Sequence, residues 1–500
     1  MQWRTTVVKN KSIIFADMKI MYCIRGLHNS GGMERVLSVK ANLLASRGHE
    51  VSIVVLRLKG RKPFFPIDPS VNIVDLSAPY LSLPGHPSSA NATSDSPRST
   101  VSSAAGSASN PASCSAIMES SASPVSSAAG NAASPATGSA STESSTSSPA
   151  SCSARTESIT SRPATGSART EGVAPVPSTM ASERLKGSVR ERLSMVVEML
   201  DPDVCVSLCG PEVRILPAVA GGRPCVAEYH FSHDKFYRKY GGIFMYPYAW
   251  LRTHMLERAV SEYDCMVTLT EHDLPIWKRH CRRVERIFNP VTTPPGQVSR
   301  LAEKRMIAVG RLEDQKNFKD LVSAWSIVAE RCPDWRLEIF GEGKLEHALR
   351  SQIARLGLTG SVILRGVVKD IASEYSNSSA LLMTSLHEGF PLALVEASSF
   401  GLPLISYDCP TGPSEIIVDA GDGGGVGNVP AATLNQAAGN TPNGYLVPVG
   451  DVRTLADRIC RIASDDNLRL RLGAASKASS HRFTPETIIS AWEHLFSSLL

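Results

Sequence analysis

The amino-acid sequence predicts an α/β protein with two Rossmann-like domains, each built on a doubly wound parallel sheet, facing a common cleft. Short apolar, strand-like segments alternate with amphipathic helical segments along most of the chain, which is typical of parallel sheets covered by helices on both faces. The pattern occurs twice, on either side of a proline-containing stretch at 289–303. The length of 500 residues also exceeds that of one ordinary domain.

The first half of the chain contains the elements expected of one such domain. A strand at 19–24 precedes the glycine pair Gly31 and Gly32 and a helix with apolar residues on one side. Further strands are predicted at EVSIVVL (50–56), VCVSL (204–208), CVAEY (225–229) and CMVTL (265–269), and an amphipathic helix from about Leu185 to Leu200. Residues 18–290 are therefore assigned to an N-terminal domain, and residues 1–17 to a dispensable leader, with Met18 as an alternative start.

The second half repeats this pattern more regularly. Its predicted strands, each separated from the next by a helical segment, are MIAVG (306–310), RLEIFG (336–341), SVILRG (361–366), ALLMTS (380–385) and LPLISY (402–407). Residues 303–482 form the C-terminal domain in this interpretation. A helix with one apolar side follows at 485–500.

A long insert interrupts the N-terminal domain at 86–180. Ser, Ala, Thr, Pro and Gly dominate it, and short units repeat, such as NPASCSA (110–116) and SPASCSA (148–154). Such a composition buries too little apolar surface to offset the entropy of ordering, so the insert is predicted to be disordered. It is interpreted as an expanded loop, with a tether for a partner as the alternative.

Composition and charge limit the classes of function, and the cellular location, that the sequence supports. The net charge of +5 is too small for a nucleic-acid-binding footprint. No signal peptide and no run of ~20 apolar residues occurs, so a cytoplasmic location is predicted. The aromatic and basic segment at 238–258 leaves three interpretations open: peripheral membrane contact, an acceptor site for a lipid-linked glycan, or a core helix.

The stretch TSLHEGFPLALVEASSFGLPLIS (384–406) carries the clearest chemical signal. A strand ends near Ser385, Glu388 lies in the following loop, and Pro391 suits the first turn of a helix that runs to about Phe400. The unpaired backbone amides at 389–392 (Gly389, Phe390, Pro391 and Leu392) then form an anion site. Glu396 lies one turn inside the helix. Two carboxylates beside such a helix end suit a phosphorylated sugar, because carboxylates accept hydrogen bonds from diols.

Two cations follow the first strand of the same domain. In GRLEDQKNF (310–318), Arg311 and Lys316 lie where they can meet a diphosphate. A leaving nucleoside diphosphate gains negative charge, which such cations stabilise. The DPD triplet at 201–203 fits an ordinary turn, and no convincing dinucleotide fingerprint is present. The sequence thus predicts no cofactor and no essential metal.

Four motifs in order give a family resemblance. GRLEDQKN, FGEGKLEHAL (340–349), HEGFPLALVEA and NGYLVPVGD (443–451) together resemble family-4 retaining glycosyltransferases of GT-B architecture, whose hallmark is the Glu-x7-Glu pair, here Glu388 and Glu396. GGMERVL (31–37) is similar to the family's first glycine-rich loop. The resemblance covers nearly the whole chain except the leader, the 86–180 insert and a Gly/Asn-rich insertion at about 420–442.

The resemblance implies a role for each site residue. Arg311 and Lys316 would bind the donor diphosphate, Glu388 the transferred sugar, and Glu396 the ribose. Val368 would contact the base, and the 389–392 backbone would form a cradle for the sugar phosphate. Gly31 and Gly32 would let the backbone approach the phosphates closely. His230 would contact the transferred sugar, with His233 as the competing candidate. Helix 483–500 would cross back to the N-terminal domain.

The implied activity is a retaining transfer from a nucleotide-sugar to a glycan or polyprenyl-linked glycan acceptor. CPTGPSEII (409–417) is similar to a segment of enzymes that build bacterial surface polysaccharides, and it points to a UDP-sugar donor. Three alternatives stay open: a sugar-nucleotide epimerase, a glycan phosphorylase, and a non-enzymatic glycan- or partner-binding protein.

Overall fold

The computed structural model describes residues 17–78, 187–240, 242–293, 296–421 and 441–500. The leader except for its last residue, the 86–180 insert and nearly all of the insertion at 420–442 lie outside the described residues.

Seven parallel strands form the sheet of the N-terminal half within these ranges. They are β1 (Lys19–Ile24), β2 (Glu50–Val55), β3 (Asn72–Asp75), β4 (Val204–Ser207), β5 (Cys225–Glu228), β6 (Cys265–Thr268) and β7 (Val284–Arg286), in the spatial order β3-β2-β1-β4-β5-β6-β7. The helices are α1 (Gly32–Ser46), α2 (Val189–Leu200), α3 (Leu216–Val219), α4 (Lys235–Lys239), α5 (Tyr246–Val260) and α6 (Leu274–Trp277).

Six parallel strands form the second sheet. They are β8 (Arg305–Val309), β9 (Arg336–Phe340), β10 (Val362–Gly366), β11 (Ala380–Met383), β12 (Leu404–Tyr407) and β13 (Gly444–Val447), in the order β10-β9-β8-β11-β12-β13. The helices are α7 (Phe318–Arg331), α8 (Glu346–Arg355), α9 (Ile371–Ser376), α10 (Leu392–Ser399), α11 (Pro413–Ile416), α12 (Val452–Ser464), α13 (Asp466–Ser479) and α14 (Pro485–Ser497).

Both faces of each sheet are buried, which confirms the predicted fold class. In β1, Met21 and Cys23 pack into a cluster with α2, whereas Tyr22 points into a cluster with α1. In β8, Met306 packs with α7, and Ile307 packs with α10 on the opposite face. Successive residues of a strand face opposite sides, so these continuous apolar strands require helices on both sides.

The last helix packs against the first sheet. Ile489, Trp492 and Phe496 of α14 belong to the same buried cluster as Tyr22 of β1 and Leu37 of α1. Glu493 of α14 also pairs with a cation beyond the end of α1, at 2.6 Å from Arg47. The second half of the chain thus contributes to the core of the first. None of the described helices combines the length and apolar character needed to cross a bilayer.

The strand orders locate the crevice of each sheet. The order reverses between β1 and β4 in the first sheet and between β8 and β11 in the second. In open parallel sheets, ligands bind outside the carboxyl ends of the strands at this reversal. The segments that follow β1, β8 and β11 therefore lie where a ligand is expected, and they carry most of the site residues predicted from the sequence.

Candidate functional site

The loops after β8 and β11 meet through an ion pair. Lys316 Nζ lies 2.6 Å from Glu388 Oε1, and the two side chains are only 18% and 10% exposed. Gln315 holds the loops together by donating its amide to the carbonyl of His387 at 2.7 Å. Thr384 donates its hydroxyl to the carbonyl of Lys316 at 3.1 Å. The structure thus brings together two predicted residues from the two sides of the reversal point.

Arg311 is differently placed. Its guanidinium is 68% exposed and lies 3.1 Å from Glu313, which is two residues away. It forms no hydrogen bond or ion pair with Lys316 or Glu388 among the described contacts. A solvated cation of this kind keeps its rotamer freedom, so Arg311 can only join the pair by reorienting its side chain.

Helix α10 begins beside this pair with unpaired amides. Pro391 is the N-terminal cap and the helix starts at Leu392, one residue later than the sequence suggested. Pro391 has no N–H, so the predicted row of four donors is corrected to the amides of Gly389, Phe390 and Leu392. These three donate no hydrogen bond to any residue that the structure describes. The Phe390 ring is buried and stacks on Phe288 at 5.3 Å, so only its backbone faces the site.

Two glycines allow the N-terminal half of the chain to contact the start of α10. A Cβ on Gly389 would lie 2.3 Å from the carbonyl oxygen of His230, and a Cβ on Gly32 would lie 3.3 Å from Leu392. The first distance is too short for any real Cβ contact. Gly389 therefore permits the loop after β5 to touch the start of α10, which places residues of both sheets around the same amides.

Glu396 is the second predicted carboxylate, and it is 3% exposed. Its Oε1 accepts from Thr292 at 2.7 Å and pairs with Arg35 of α1 at 2.9 Å. Its Oε2 accepts from the Tyr375 hydroxyl at 3.1 Å. Burial and then the neighbouring carboxylate raise the pKa of Tyr375, which keeps this hydroxyl a donor. Both oxygens are thus satisfied, as a buried carboxylate requires.

A cavity of about 490 Å³ lies next to Arg35. Its lining includes Thr293 and Gln297 from the stretch between the two sheets and, as a second stretch, residues 369–373, which follow β10. The predicted base-contact residue, Val368, immediately precedes that second stretch and packs against a buried cluster. Arg35 borders the cavity while its guanidinium pairs with Glu396, so one side chain joins the cavity to the buried carboxylate.

His230 belongs to a buried charge network. Its Nε2 lies 3.1 Å from Glu228 Oε1. Lys40 Nζ donates to both oxygens of Glu228 at 2.6 and 2.5 Å and lies 4.1 Å from the ring centre of Trp492 in α14. Burial alone would raise the pKa of Glu228, but Lys40 and His230 outweigh it and lower the pKa to about 2. Glu228 is therefore a charged partner for His230 at all physiological pH values.

His233 lies in another cluster. Its Nε2 is 2.8 Å from Glu257 of α5, and its ring packs against Trp277 at 5.1 Å between centroids. The two candidate histidines therefore have different partners. His230 pairs with Glu228, and its backbone carbonyl lies against Gly389. His233 contacts Glu257 of α5.

Sequence reasoning missed three residues of this region. Arg35 lies inside the quoted segment GGMERVL without having been singled out. Lys40 lies on the apolar side of α1, where a charged residue signals a buried partner. Glu228 is its partner, although 188 residues separate the two in the sequence. A lysine on an apolar helix face and a glutamate inside an apolar strand were the available signals.

Two doubly wound parallel-sheet domains with convergent residues at their reversal points define the GT-B architecture. Residues 294–479 match the family model described as "Glycosyl transferases group 1". The match covers the whole second sheet with Lys316, Glu388 and Glu396.

Curated relatives match part of the chain. An uncharacterized glycosyltransferase of Haemophilus influenzae is 27% identical over 47% of this chain and 62% of its own length. The amylovoran biosynthesis glycosyltransferase AmsD of Erwinia amylovora is 30% identical over 39% of this chain and 48% of its own length. The chain thus spans less than two thirds of these relatives.

A solved structure matches almost from end to end. The Anabaena protein HepE, in complex with UDP, aligns with a TM-score of 0.56 at 14% identity over 96% of this chain and 100% of its own. At this identity the similarity establishes the fold, and it agrees with the GT-B architecture seen here.

Proposed function

We propose that the chain is a family-4 retaining glycosyltransferase that transfers a sugar from a UDP-sugar to a glycan or polyprenyl-linked glycan acceptor in surface polysaccharide synthesis. The group 1 glycosyltransferase domain supports the reaction class. AmsD, named for amylovoran biosynthesis, supports the type of product. HepE, solved with UDP, supports the nucleotide.

The observation that carries the proposal is the Lys316–Glu388 pair beside the unpaired amides of α10. A donor diphosphate would accept from the amides of Gly389, Phe390 and Leu392, where the helix dipole favours negative charge. Lys316 would turn from Glu388 toward the phosphate oxygens, and Arg311 would reorient to join it. As the sugar–phosphate bond breaks, the charge that develops on the diphosphate meets fixed donors and cations.

Glu388 and Glu396 would then hold the two polyhydroxylated parts of the donor. Release of Lys316 frees the Glu388 carboxylate to accept from sugar hydroxyls. Glu396 would accept from the ribose diol, and Arg35 would give up or share its place on Oε1. The base would lie near Val368 in the cavity beside Arg35. Gly31 and Gly32 would allow the backbone of the first domain to approach the phosphates.

The retaining stereochemistry fits a site without a carboxylate nucleophile. In the front-face mechanism usual for the family, the leaving phosphate helps to remove the acceptor proton. His230 would contact the transferred sugar, with the Glu228 carboxylate 3.1 Å from its Nε2. The charge balance of the diphosphate comes from Lys316, Arg311 and the amides, so the proposal includes no essential metal.

Exposed aromatic residues at the start of α5 and in the turn before it support an acceptor carried by a membrane. Phe244 is 95% exposed, and Tyr246 and Trp250 are more than half exposed. Arg252 lies on the same helix, and its guanidinium is 6.0 Å from the centre of the Tyr248 ring. Aromatic and basic side chains together suit the headgroup region of an anionic bilayer. We therefore propose a cytoplasmic protein in peripheral contact with the membrane that holds the lipid-linked acceptor.

The decisive experiment measures UDP binding by calorimetry, with GDP, ADP and dTDP as competitors. Lys316→Met should weaken UDP at least ~10-fold, because hydrogen bonds between charged groups contribute ~1.5–3 kcal/mol. The matched control is Lys304→Met, which removes the same charge from an exposed pair with Asp334 just before β8. Equal UDP affinity in Lys316→Met and Lys304→Met would contradict the proposed site.

Product analysis separates the alternative functions. A transferase consumes the UDP-sugar only when acceptor is added, and the anomeric configuration of the product tests retention. Turnover of the donor with no acceptor would identify an epimerase. A phosphorylase would require inorganic phosphate and a glycan instead. Donor binding that is lost on deletion of residues 86–180 would favour the interpretation as a partner-binding protein.

A further inference from the structure

Three side chains outside the proposed donor site converge on one point of the N-terminal domain. They are His233 in the loop after β5, Glu257 on α5 and His280 just after α6. His233 Nε2 and His280 Nε2 lie 2.8 and 3.4 Å from the same oxygen, Oε1 of Glu257. One ligand atom from each residue lies within 4.8 Å of the others. We propose that His233, Glu257 and His280 form a binding site for a transition-metal dication, with Zn²⁺ the best fit.

The spacing matches the coordination chemistry of zinc. Zinc binds imidazole nitrogen and carboxylate oxygen at ~2.0–2.2 Å in a tetrahedral arrangement, so neighbouring ligand atoms stand about 3.3–3.6 Å apart. The 3.4 Å between His280 and Glu257 falls in that range, and the 2.8 Å between His233 and Glu257 would lengthen by about 0.5 Å on binding. Two imidazoles and one carboxylate also favour zinc over Mg²⁺ or Ca²⁺, which prefer oxygen ligands.

The surroundings suit an ion with one open position. Trp277, which is fully buried, packs its ring edge-on against His233 at 5.1 Å and against His280 at 6.4 Å between centroids. The cluster itself is accessible, with the His280 side chain 30% exposed. His254 Nδ1 lies 3.5 Å from the other Glu257 oxygen. A water molecule can therefore complete the coordination.

The ion would cross-link three segments of the N-terminal domain. They are the loop that carries His230 and touches Gly389, the helix α5, and the end of α6. These segments also share one apolar cluster that contains Tyr229, Leu256 and Trp277, and the His233 amide donates to Asp273 at 3.2 Å. The inference is independent of the proposed donor site, because no residue of the cluster belongs to it.

The test uses the full chain after exhaustive dialysis against EDTA and then metal-free buffer. Calorimetry with Zn²⁺ should show one site, and Co²⁺ should give the visible absorption of a tetrahedral or five-coordinate centre. His280→Ala should reduce the zinc affinity at least ~10-fold, whereas His347→Ala, on the exposed face of α8, should leave it unchanged. Circular dichroism checks that His280→Ala is folded.

Cysteines are the competing ligands, and the cobalt spectrum identifies them. The described chain has free thiols at Cys209 and Cys332, among others, and thiolate ligands add an intense near-ultraviolet charge-transfer band. A cobalt complex that has this band, zinc affinity that is equal in the wild type and His280→Ala, or no zinc binding by the wild type would each overturn the proposal. Glu257→Gln offers a second variant, since it keeps the shape of the side chain and removes the anionic ligand.

Discussion

Replacement of Lys40 by methionine should destabilise the N-terminal domain strongly. The Lys40 and Glu228 side chains are 1% and 2% exposed, so the variant would leave a carboxylate buried with His230 as its remaining partner. Removal of one member of a buried ion pair costs ~3–5 kcal/mol, because the charge left behind has no solvent. Methionine keeps most of the volume beside Trp492, so the loss reports the charge rather than a cavity.

Urea unfolding measures this loss. With a slope of about 2 kcal/mol per molar urea, a cost of ~3–5 kcal/mol lowers the midpoint by ~1.5–2.5 M. Fluorescence follows the transition through Trp492 and Trp277, which are buried in the clusters of the first sheet. The double variant Lys40→Met/Glu228→Gln removes both charges, and its midpoint should recover most of the way to the wild type.

Two comparisons decide whether the reasoning holds. Lys304→Met removes a lysine from an exposed pair with Asp334 and should leave the midpoint unchanged within error. A midpoint for Lys40→Met as high as that of the wild type would refute the claim that the Lys40–Glu228 pair is desolvated. A double variant no more stable than Lys40→Met would show that the loss arises from packing.

Three further outcomes are expected. Gly389→Ala should lower the free energy of unfolding by ~1–3 kcal/mol, as overpacking does, because its Cβ would lie 2.3 Å from the His230 carbonyl oxygen. Urea unfolding measures this loss, and Gly360→Ala, which has open space around its Cβ, is the control. Arg35→Ala should lower the thermal unfolding temperature, because the buried Glu396 carboxylate loses one of three partners, and Arg35→Lys should restore part of it. Burial and then Lys239 lower the pKa of Lys235 to about 8, so near pH 8 about half of its amine is neutral, ~100-fold more than for an ordinary lysine. Brief acetylation near pH 8 followed by peptide mass spectrometry should label Lys235 before the other lysines, and labelling of Lys235 that rises only near pH 10 would contradict this.

The strands that the sequence predicted and those that it missed differ in position. All ten predicted strands are present, and the central ones are continuous apolar runs because both of their faces are covered. The strands that were not assigned are β3, β7 and β13, and each lies at an edge of its sheet. Edge strands such as Asn72–Asp75 and Val284–Arg286 are short and carry charges, so pairing with a neighbour, rather than local pattern, makes them strands.

The candidate site was predictable where it lies within one domain. Lys316 and Glu388 follow two strands that adjoin at a reversal point, so strand order alone brings their loops together. Arg35 and its contact with Glu396 could not be predicted in this way, because that contact depends on how the two domains meet. The number of amide donors at the start of α10 was also overestimated, because Pro391 has no N–H.

The position of α14 has a consequence for biosynthesis. During translation the first sheet emerges long before Trp492 and Phe496, which complete one of its two buried clusters. Until the ribosome has made the entire second domain, only α1 among the described helices covers that face of the sheet, and Lys40 lacks the Trp492 ring beside its ammonium group. The first domain to be synthesised therefore completes its packing only after the last helix of the chain has docked on it.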